Sequence, residues 1–327
     1  MRKIIIEVGE VLEGKIEKYL GSGERDVELE IGPGYDPFIL RMAEIFPEKD
    51  FLAIEIDPER IKYQEELIKR RGIENVKLIC GDAKFLLPNM FKSDFFSNIY
   101  ILFPDPWPKK RHKKNRLLDR DFLLQLFYFL KLEGTLLMAT DNKDYAFEVF
   151  SLLHGIKHIT FYFRMGDEKG VEHKTKFEKI FLKKGIDIFY FRCSKEEEFN
   201  GEYEKELKCI LERERVKPVN PFEKLYFSHP FISFDHLFNS FKEFVVRRKD
   251  GKIFKYKDLY ISQDGNMLIL EGICREKRLV QNLSFQIGCK RGRYEVALFT
   301  NRDVIFTEGV IEFIEIFMST FLLDFKL

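Results

Sequence analysis

The sequence has few of the residues that build disulfide frameworks, metal sites or membrane spans. Its five cysteines are odd in number and far apart, and no pair has the C-x-x-C spacing of a zinc or redox site. The longest apolar stretches, residues 122–130 and 314–323, are well short of the ~20 residues that a transmembrane helix needs. Glu7 and Glu10 interrupt the apolar stretch that a secretory signal peptide would need near the N-terminus. We therefore expect a cytoplasmic protein with reduced thiols, without a membrane segment or a metal ion.

An excess of charge of either sign is also missing. The 327 residues include 55 Lys and Arg against 54 Asp and Glu, a net charge of +1, and 45% are hydrophobic. This composition excludes disorder, which requires low hydrophobicity and high net charge. It also lacks the basic excess typical of nucleic-acid binders, although a sum does not show where the charges lie. The length suggests about two domains.

Residues 1–195 are predicted to form an α/β domain. Short apolar runs alternate with segments of helical periodicity, which favours a doubly wound, mostly parallel sheet with helices on both faces. The strand-like runs are residues 27–31, 51–54, 76–80, 97–103 and 134–140.

The pattern changes after Lys195. Residues 196–216 are predicted to form a charged connecting helix, and residues 217–327 a smaller β-rich C-terminal domain. Asp250-Gly251 and Asp264-Gly265 are typical of tight hairpin turns. The apolar tail, residues 310–323, fits either one helix or two strands.

A glycine turn follows the first predicted strand. Gly32 and Gly34 allow the backbone to approach a ligand at the start of a helix, but Pro37 stands where a dinucleotide fingerprint has its third glycine. Three acidic residues then mark the ends of three successive strands: Glu30, Glu55 and Asp82.

These acids indicate a nucleoside ligand without phosphates. Glu55 is the preferred acceptor for ribose hydroxyls, with Asp57 as its competitor, and Asp82 is placed to accept from an adenine amino group. S-adenosylmethionine is such a ligand. A nicotinamide-dependent oxidoreductase remains the alternative enzyme, and ordinary strand-end turns remain the structural alternative.

The segment from Phe103 to Arg116 combines acidic, aromatic and basic residues after an apolar strand. Prolines at 104, 106 and 108 stiffen it around Asp105, and Trp107 is the only tryptophan of the chain. Six Lys or Arg lie between Lys109 and Arg116, a cluster that can neutralise several phosphates. We call residues 103–116 the signature loop.

The signature loop resembles that of bacterial tRNA (guanine-N7-)-methyltransferases. Thr140-Asp141-Asn142 and the Thr-x-x-Glu pattern at 175–178 are similar to two further motifs of that family. The resemblance covers about residues 25–192, and typical members lack the C-terminal domain. It implies a Rossmann-like, S-adenosylmethionine-dependent methyltransferase domain and methylation of guanine 46 in tRNA.

The same resemblance implies a role for each matched residue. The methyl donor would contact the strand-end acids, the turn glycines and Asp105, and Asp105 would also be the catalytic residue. Lys109, Asp141, Thr175, Lys176, Phe177 and Glu178 would hold the tRNA guanosine.

Three questions stay open at this stage. The protein could be a monomer or a homodimer. Its C-terminal domain could clamp tRNA or brace the catalytic fold. A non-catalytic RNA-binding protein with the same fold is the third functional alternative, although binding RNA alone would not require the acidic residues at the donor site.

Overall fold

The computed structural model describes two compact units, residues 1–215 and 216–327. Within them, the described residues are 3–6, 8, 16–20, 25–166, 175–199, 201–216, 225–228, 234, 238–239, 241–262, 266–290, 293–299, 304–305 and 307–323. Among these, no helix combines the length and the apolar character that crossing a bilayer demands.

The first unit contains a seven-stranded sheet in the order β3-β2-β1-β4-β5-β7-β6. Strands β1 to β5 are parallel, whereas β7 runs antiparallel to both β5 and β6. This arrangement confirms the predicted Rossmann-like, mostly parallel sheet. The strands are β1 (Val27–Ile31), β2 (Asp50–Glu55), β3 (Val76–Cys80), β4 (Phe96–Leu102), β5 (Leu130–Thr140), β6 (Ile159–Met165) and β7 (Phe189–Lys195).

Helices connect these strands, and polar side chains fix where several of them begin. Asp57, Asp82, Asp119, Asn142 and Thr175 each accept a backbone N–H in the first turn of a helix. The helices are α1 (Phe38–Ile45), α2 (Pro58–Arg71), α3 (Ala83–Met90), α4 (Arg120–Phe129), α5 (Lys143–His154), α6 (Lys176–Lys183) and α7 (Glu202–Glu214).

Helix α7 forms most of the segment that the sequence predicts as a connecting helix. It packs against α3 and α4 within the first unit and buries Leu207, Ile210 and Leu211. Because the division between the units falls at residues 215 and 216, this helix is part of the first unit.

The described part of the second unit contains an antiparallel sheet with helix α8 packed against it. The strand order is β8-β13-β12-β11-β10-β9, and Phe254, Tyr256 and Phe285 pack against Phe313 of the helix. The tail, for which the sequence allows a helix or two strands, is helical. The elements are β8 (Leu225–Ser228), β9 (Phe244–Arg247), β10 (Ile253–Ile261), β11 (Met267–Glu276), β12 (Leu279–Lys290), β13 (Arg293–Leu298) and α8 (Glu308–Leu323).

One of the two predicted hairpin turns can be compared with the structure. Gly251 has φ +90° in the turn between β9 and β10, which is the conformation expected of Asp-Gly there. Asp264-Gly265 lies outside the described residues.

Candidate active site

Most predicted site residues of the first unit lie at the ends of strands β1 to β5 or on the loops that follow them, whereas Thr175 to Glu178 follow β6 and begin α6. Since these strands are parallel, their carboxyl ends meet at one edge of the sheet, which is where doubly wound folds bind ligands. An open cavity of about 590 Å³, lined by Arg25, Asp50 and Asn75 among others, lies at the amino ends of β1 to β3. It is therefore at the edge opposite the candidate site.

The glycine turn after β1 leaves its ligand side open. Gly32 and Gly34 have φ +75° and +56°, a region that favours glycine, and a Cβ built on either would meet no heavy atom within 4 Å. The Gly34 N–H donates to the Glu55 Oε2 at 3.0 Å, and the Gly32 N–H donates to the Ile54 carbonyl at 2.8 Å. Two predicted donor-binding residues, Gly34 and Glu55, are therefore in direct contact.

Gln64 of α2 is hydrogen-bonded to the backbone of the same turn. Its side-chain amide donates to the carbonyl oxygens of Gly34 at 2.9 Å and Asp36 at 2.8 Å, and the residue is fully buried. Gln64 is not among the residues predicted from the sequence. A signal was present, because Gln64 stands on the buried face of α2 with Ile61, Leu67 and Ile68, where an apolar side chain is expected.

Glu30 is buried near the end of β1. Its Oε2 accepts the Ile39 N–H at 3.2 Å, at the start of α1. Burial, together with the neighbouring carboxylates of Asp36 and Glu55, raises the pKa of Glu30 to about 8, against the opposing effects of the Ile39 N–H and Arg41. Near neutral pH in the free protein, this side chain is therefore largely protonated.

The raised pKa of Glu30 gives stability a pH dependence. The folded protein retains a proton that the unfolded chain releases above about pH 4.5, so the free energy of unfolding falls as pH rises through the window up to about 8. Between pH 5.5 and 7 the loss from this group is about 2 kcal/mol. Glu30→Gln keeps the acceptor for Ile39 but cannot ionise. Urea unfolding across this range should therefore show the variant gaining stability relative to the wild type as pH rises. A constant difference would contradict the assignment.

The remaining strand-end acids occupy different positions. Glu55 is buried and also accepts the Asp57 N–H at 3.0 Å, whereas Asp57 accepts the Glu59 N–H and begins α2. Asp82 begins α3 and accepts the Lys84 N–H at 2.9 Å. The open glycine turn with carboxylates at the adjoining strand ends fits the adenosine and ribose of S-adenosylmethionine, since each carboxylate oxygen can accept more than one hydrogen bond.

The signature loop leaves β4 by a sharp turn. Phe103 and Trp107 both have positive φ, +54° and +44°, which is uncommon for bulky residues and marks a tightly constrained backbone. The Phe103 N–H donates to the Ala139 carbonyl at 2.8 Å, which ties the loop to β5. Asp105 is exposed. Trp107 is 38% exposed, and its ring stacks on that of His112.

The basic part of the signature loop differs from the prediction in one residue. Residues 110–115 form a 3-10 helix, but Arg116 is 3% exposed and does not belong to the surface cluster. Its Nη1 is hydrogen-bonded to Glu148, its Nε donates to the Pro106 carbonyl at 2.8 Å, and its guanidinium lies over the Tyr145 ring. Arg116 thus fixes the backbone next to Asp105. A basic run in sequence could not reveal this, because nothing in it marks one cation as buried.

The other predicted substrate contacts adjoin the ends of β4 and β5. Asp141 is half-buried. The residues on either side of it are in contact, because the Thr140 hydroxyl accepts the Asn142 N–H, and Asn142 begins α5. Helix α6 packs its Phe181 ring against Phe103, with 5.5 Å between ring centroids. The segment from Thr175 to Glu178 is therefore attached to the start of the signature loop.

Thr175 and Glu178 also have a structural role. Each caps the other across the first turn of α6, since the Thr175 N–H donates to Glu178 and the Glu178 N–H donates to the Thr175 hydroxyl. The Tyr190 hydroxyl donates to the remaining Glu178 oxygen at 2.7 Å. Lys176 and Phe177 form the first turn between them. Contact of this turn with a guanosine remains a prediction.

Comparison with known proteins identifies a family and several relatives of this chain. Residues 24–191 match the profile of a family described as "Putative methyltransferase". A tRNA (guanine-N(7)-)-methyltransferase of Thermotoga maritima is 30% identical over 244 residues, which are 74% of this chain and 72% of that protein. The protein of that name from Nitrosomonas eutropha is 42% identical over 125 residues, covering 38% of this chain and 56% of that protein. One from Buchnera aphidicola is 38% identical over 167 residues, 49% of this chain and 69% of that protein.

These matches confirm the family resemblance of the signature loop. The family profile spans half of the chain, and this chain covers more than two thirds of the Thermotoga protein but only little over half of the Nitrosomonas one. The chain belongs to the tRNA (guanine-N(7)-)-methyltransferase family.

Proposed function

We propose that this protein transfers a methyl group from S-adenosylmethionine to ring nitrogen 7 of a guanine in tRNA, in the cytoplasm, and that the target is guanine 46. Family membership supports the reaction. The observation that carries the proposal is the signature loop, which places an exposed carboxylate and an exposed basic segment side by side. The loop lies at the same edge of the sheet as the open glycine turn.

The reaction needs alignment more than proton transfer. S-adenosylmethionine supplies an electrophilic methyl group on a positively charged sulfur. Nitrogen 7 of guanine already carries a free lone pair, so the protein needs no general base to create the nucleophile. As the N–CH3 bond forms, the C–S bond breaks and the positive charge passes to the purine. Holding the lone pair in line with the methyl group supplies ~7–11 kcal/mol in favourable cases.

Asp105 is the residue that we assign to stabilise this shift of charge. An ionised carboxylate on a constrained backbone stabilises a purine that is becoming cationic, and its oxygens can accept from the N–H edge of the base. Two hydrogen bonds fix the backbone on either side of Asp105. The Phe103 N–H donates to the Ala139 carbonyl of β5, and the Arg116 Nε donates to the Pro106 carbonyl. We therefore assign it the catalytic role, together with a contact to the methyl donor.

The donor side uses the buried acids and the glycine turn. Glu55 is held by two backbone N–H groups, which supports its assignment as the acceptor for ribose hydroxyls. Asp82, at the end of the next strand, is assigned to the adenine amino group. Gly32 and Gly34 leave room for the backbone to approach the ligand, and Glu30 lies below the turn.

The guanosine side uses the signature loop and its neighbours. Lys109 is exposed at the start of the 3-10 helix and is suited to a tRNA phosphate, while Asp141 is suited to the amino edge of the base. Because tertiary contacts in tRNA hide nitrogen 7, we expect the guanosine to leave those contacts and enter the site.

Lys109→Ala is expected to weaken tRNA binding without changing donor binding. Loss of one phosphate contact should raise the KM for tRNA several-fold and reduce the slope of log affinity against log salt by about 1. Lys62 is a matched control, because it is an exposed lysine on α2. Lys62→Ala should leave both quantities unchanged. An unchanged salt slope in Lys109→Ala would remove this residue from the interface.

The target position is tested with two tRNA transcripts. Labelled S-adenosylmethionine is incubated with the full chain and transcripts that carry guanine or adenine at position 46. The proposal predicts label only in the first. Equal labelling of both would refute the target assignment, and labelling of neither would favour an RNA-binding protein without catalysis.

A further inference from the structure

Lys84 is a buried lysine close to the candidate donor site. It lies in the first turn of α3, two residues after Asp82, and it is 7% exposed. Lysine is rarely buried, because its charge must then leave water. A cation in the first turn of a helix also opposes the helix dipole. Both effects disfavour a lysine here, so its presence requires compensating contacts.

The contacts of the Lys84 ammonium lie where the signature loop ends and α4 begins. Its Nζ is 2.5 Å from Oδ2 of Asp119 and donates to the Arg116 carbonyl at 3.4 Å. It also lies over the Phe122 ring, 5.4 Å from the ring centroid. The side chain therefore reaches from α3 to the last residue of the signature loop.

The backbone of Lys84 is bonded to the donor side of the site. Its N–H donates to Oδ1 of Asp82 at 2.9 Å, and Asp82 is assigned to the adenine amino group. Arg116 in turn donates from Nε to the Pro106 carbonyl, beside Asp105. A continuous series of hydrogen-bonded residues therefore joins the carboxylate assigned to the donor to the backbone beside the carboxylate assigned to the guanine.

Helix α5 binds the same segment. The Leu118 N–H donates to the Tyr145 hydroxyl at 2.9 Å, and Arg116 is hydrogen-bonded to Glu148. These contacts attach the end of the signature loop to α5. Lys84 attaches it to α3, the helix that begins at the donor-site carboxylate, so the two attachments serve different parts of the site.

We propose that Lys84 is a positioning residue that fixes the signature loop relative to the donor site. The inference rests on the proposed function, which assigns Asp82 to the methyl donor and Asp105 to the guanine. In-line transfer requires the methyl group and nitrogen 7 to be held in a fixed geometry, and a displacement of about 1 Å can cost about 10²-fold in rate. Lys84 acts on this geometry through Asp82 and Arg116.

Lys84→Met tests the proposal because it keeps the aliphatic length of the side chain and removes the ammonium. The backbone N–H that donates to Asp82 is unchanged, so KM for S-adenosylmethionine and KM for tRNA should each stay within about twofold. In contrast, kcat should fall about 10-fold to 100-fold, because the donor and the signature loop are no longer held in register. Steady-state methyl transfer to an unmodified tRNA transcript measures both, well below the melting temperature of the variant.

Lys195→Met is the matched control. Lys195 is also a buried lysine that pairs with an aspartate, Asp94, and donates to a backbone carbonyl, that of Leu130 at 3.1 Å. Leu130 begins β5, so this lysine lies at the edge of the sheet opposite the candidate site. Both variants lose a buried charged contact and should melt at a lower temperature. Only Lys84→Met should lose kcat.

Asp119→Asn tests the same contact from its partner. Asparagine keeps a side-chain oxygen for the Phe122 N–H and caps a helix as well as aspartate does, so α4 should be retained. The variant loses the negative charge beside Lys84, so kcat should fall as it does in Lys84→Met. Because both changes remove one interaction, the double variant should lose little more than Lys84→Met alone. If Lys84→Met does not fold, the kcat of Asp119→Asn decides, and a wild-type value would contradict the proposal.

Three other results would overturn the proposal. One is an unchanged kcat in Lys84→Met, and another is an equal loss of kcat in Lys195→Met. The third is a loss confined to KM for S-adenosylmethionine, which would assign Lys84 to the donor site alone.

Trp107 emission in the free proteins separates this inference from the proposed function, because it requires no catalysis. Lys84→Met should shift the emission, since the Arg116 that it releases is bonded to Pro106, and Lys195→Met should not. If this pattern is found while the wild type transfers no methyl group, the link from Lys84 to the signature loop is supported and the proposed function fails separately. Unshifted emission in Lys84→Met would contradict the link.

Discussion

Replacement of Asp105 by alanine is expected to reduce methyl transfer by about 10³-fold or more. The side chain is the one carboxylate in the sequence of the signature loop, and we propose that it stabilises the positive charge that develops on the purine. Because Asp105 is exposed, its removal leaves no cavity in the core. The melting temperature of the variant should therefore match that of the wild type, and the loss should appear in kcat under saturating tRNA and donor.

Asparagine at the same position separates charge from shape. Asp105→Asn keeps the size and one acceptor oxygen but removes the negative charge, so electrostatic stabilisation predicts a loss close to that of alanine. Asp258→Ala serves as the control, because Asp258 is an exposed acid of the second unit. It should retain full activity. Near-wild-type turnover in either Asp105 variant would take the catalytic role away from this residue.

Arg116→Met is expected to destabilise the first unit by about 1–3 kcal/mol, since Glu148 is partly exposed and keeps Lys113 as a partner. The substitution leaves Glu148 without its buried partner and removes the hydrogen bond to the Pro106 carbonyl. Methionine retains much of the arginine volume, so packing on Tyr145 changes little. Urea unfolding measures the loss, and turnover should fall as well because Asp105 loses its support.

Trp107 provides a direct readout of the loop. It is the only tryptophan of the chain, so fluorescence excited selectively at tryptophan, outside the absorption of the 13 tyrosines, reports on the signature loop alone. Arg116→Met should shift that emission under conditions where the fold is intact. Lys113→Met is the matched control, since Lys113 also pairs with Glu148 but is largely exposed, and such pairs contribute at most about 1 kcal/mol. Equal stability losses in the two variants would show that Arg116 has no special role.

The sequence predicts the sheet well because burial dictates its pattern. Strand β2 is buried along its whole length, which fits the uninterrupted apolar run from Phe51 to Ile54. Strand β1 is equally buried, but its sequence alternates three apolar residues with Glu28 and Glu30. The strand-end acids are equally visible, since a charged residue directly after such a run has few structural explanations. The signature loop is recognisable because its prolines, tryptophan and basic residues follow one another along the chain.

Other features depend on contacts between distant residues and leave no local signal. Arg116 pairs with Glu148 across 32 positions, and only strand pairing brings Arg247 and Arg275 to either side of Ile253. The apolar tail gives no single periodicity, since α8 combines a nearly continuous apolar sequence with few charges. Lys277 has a positive φ in the turn between β11 and β12, where glycine is the usual residue, and only strand pairing reveals that turn.

Identification of the modified nucleoside is the most direct test of methyl transfer to nitrogen 7 of a tRNA guanine. The full chain is incubated with S-adenosylmethionine and an unmodified tRNA transcript, and the tRNA is digested to nucleosides for mass spectrometry against methylguanosine standards. The account predicts 7-methylguanosine as the methylated product, absent when Asp105→Ala replaces the wild type. A guanosine methylated at another nitrogen, a different methylated nucleoside, or no methylated nucleoside at all would contradict it.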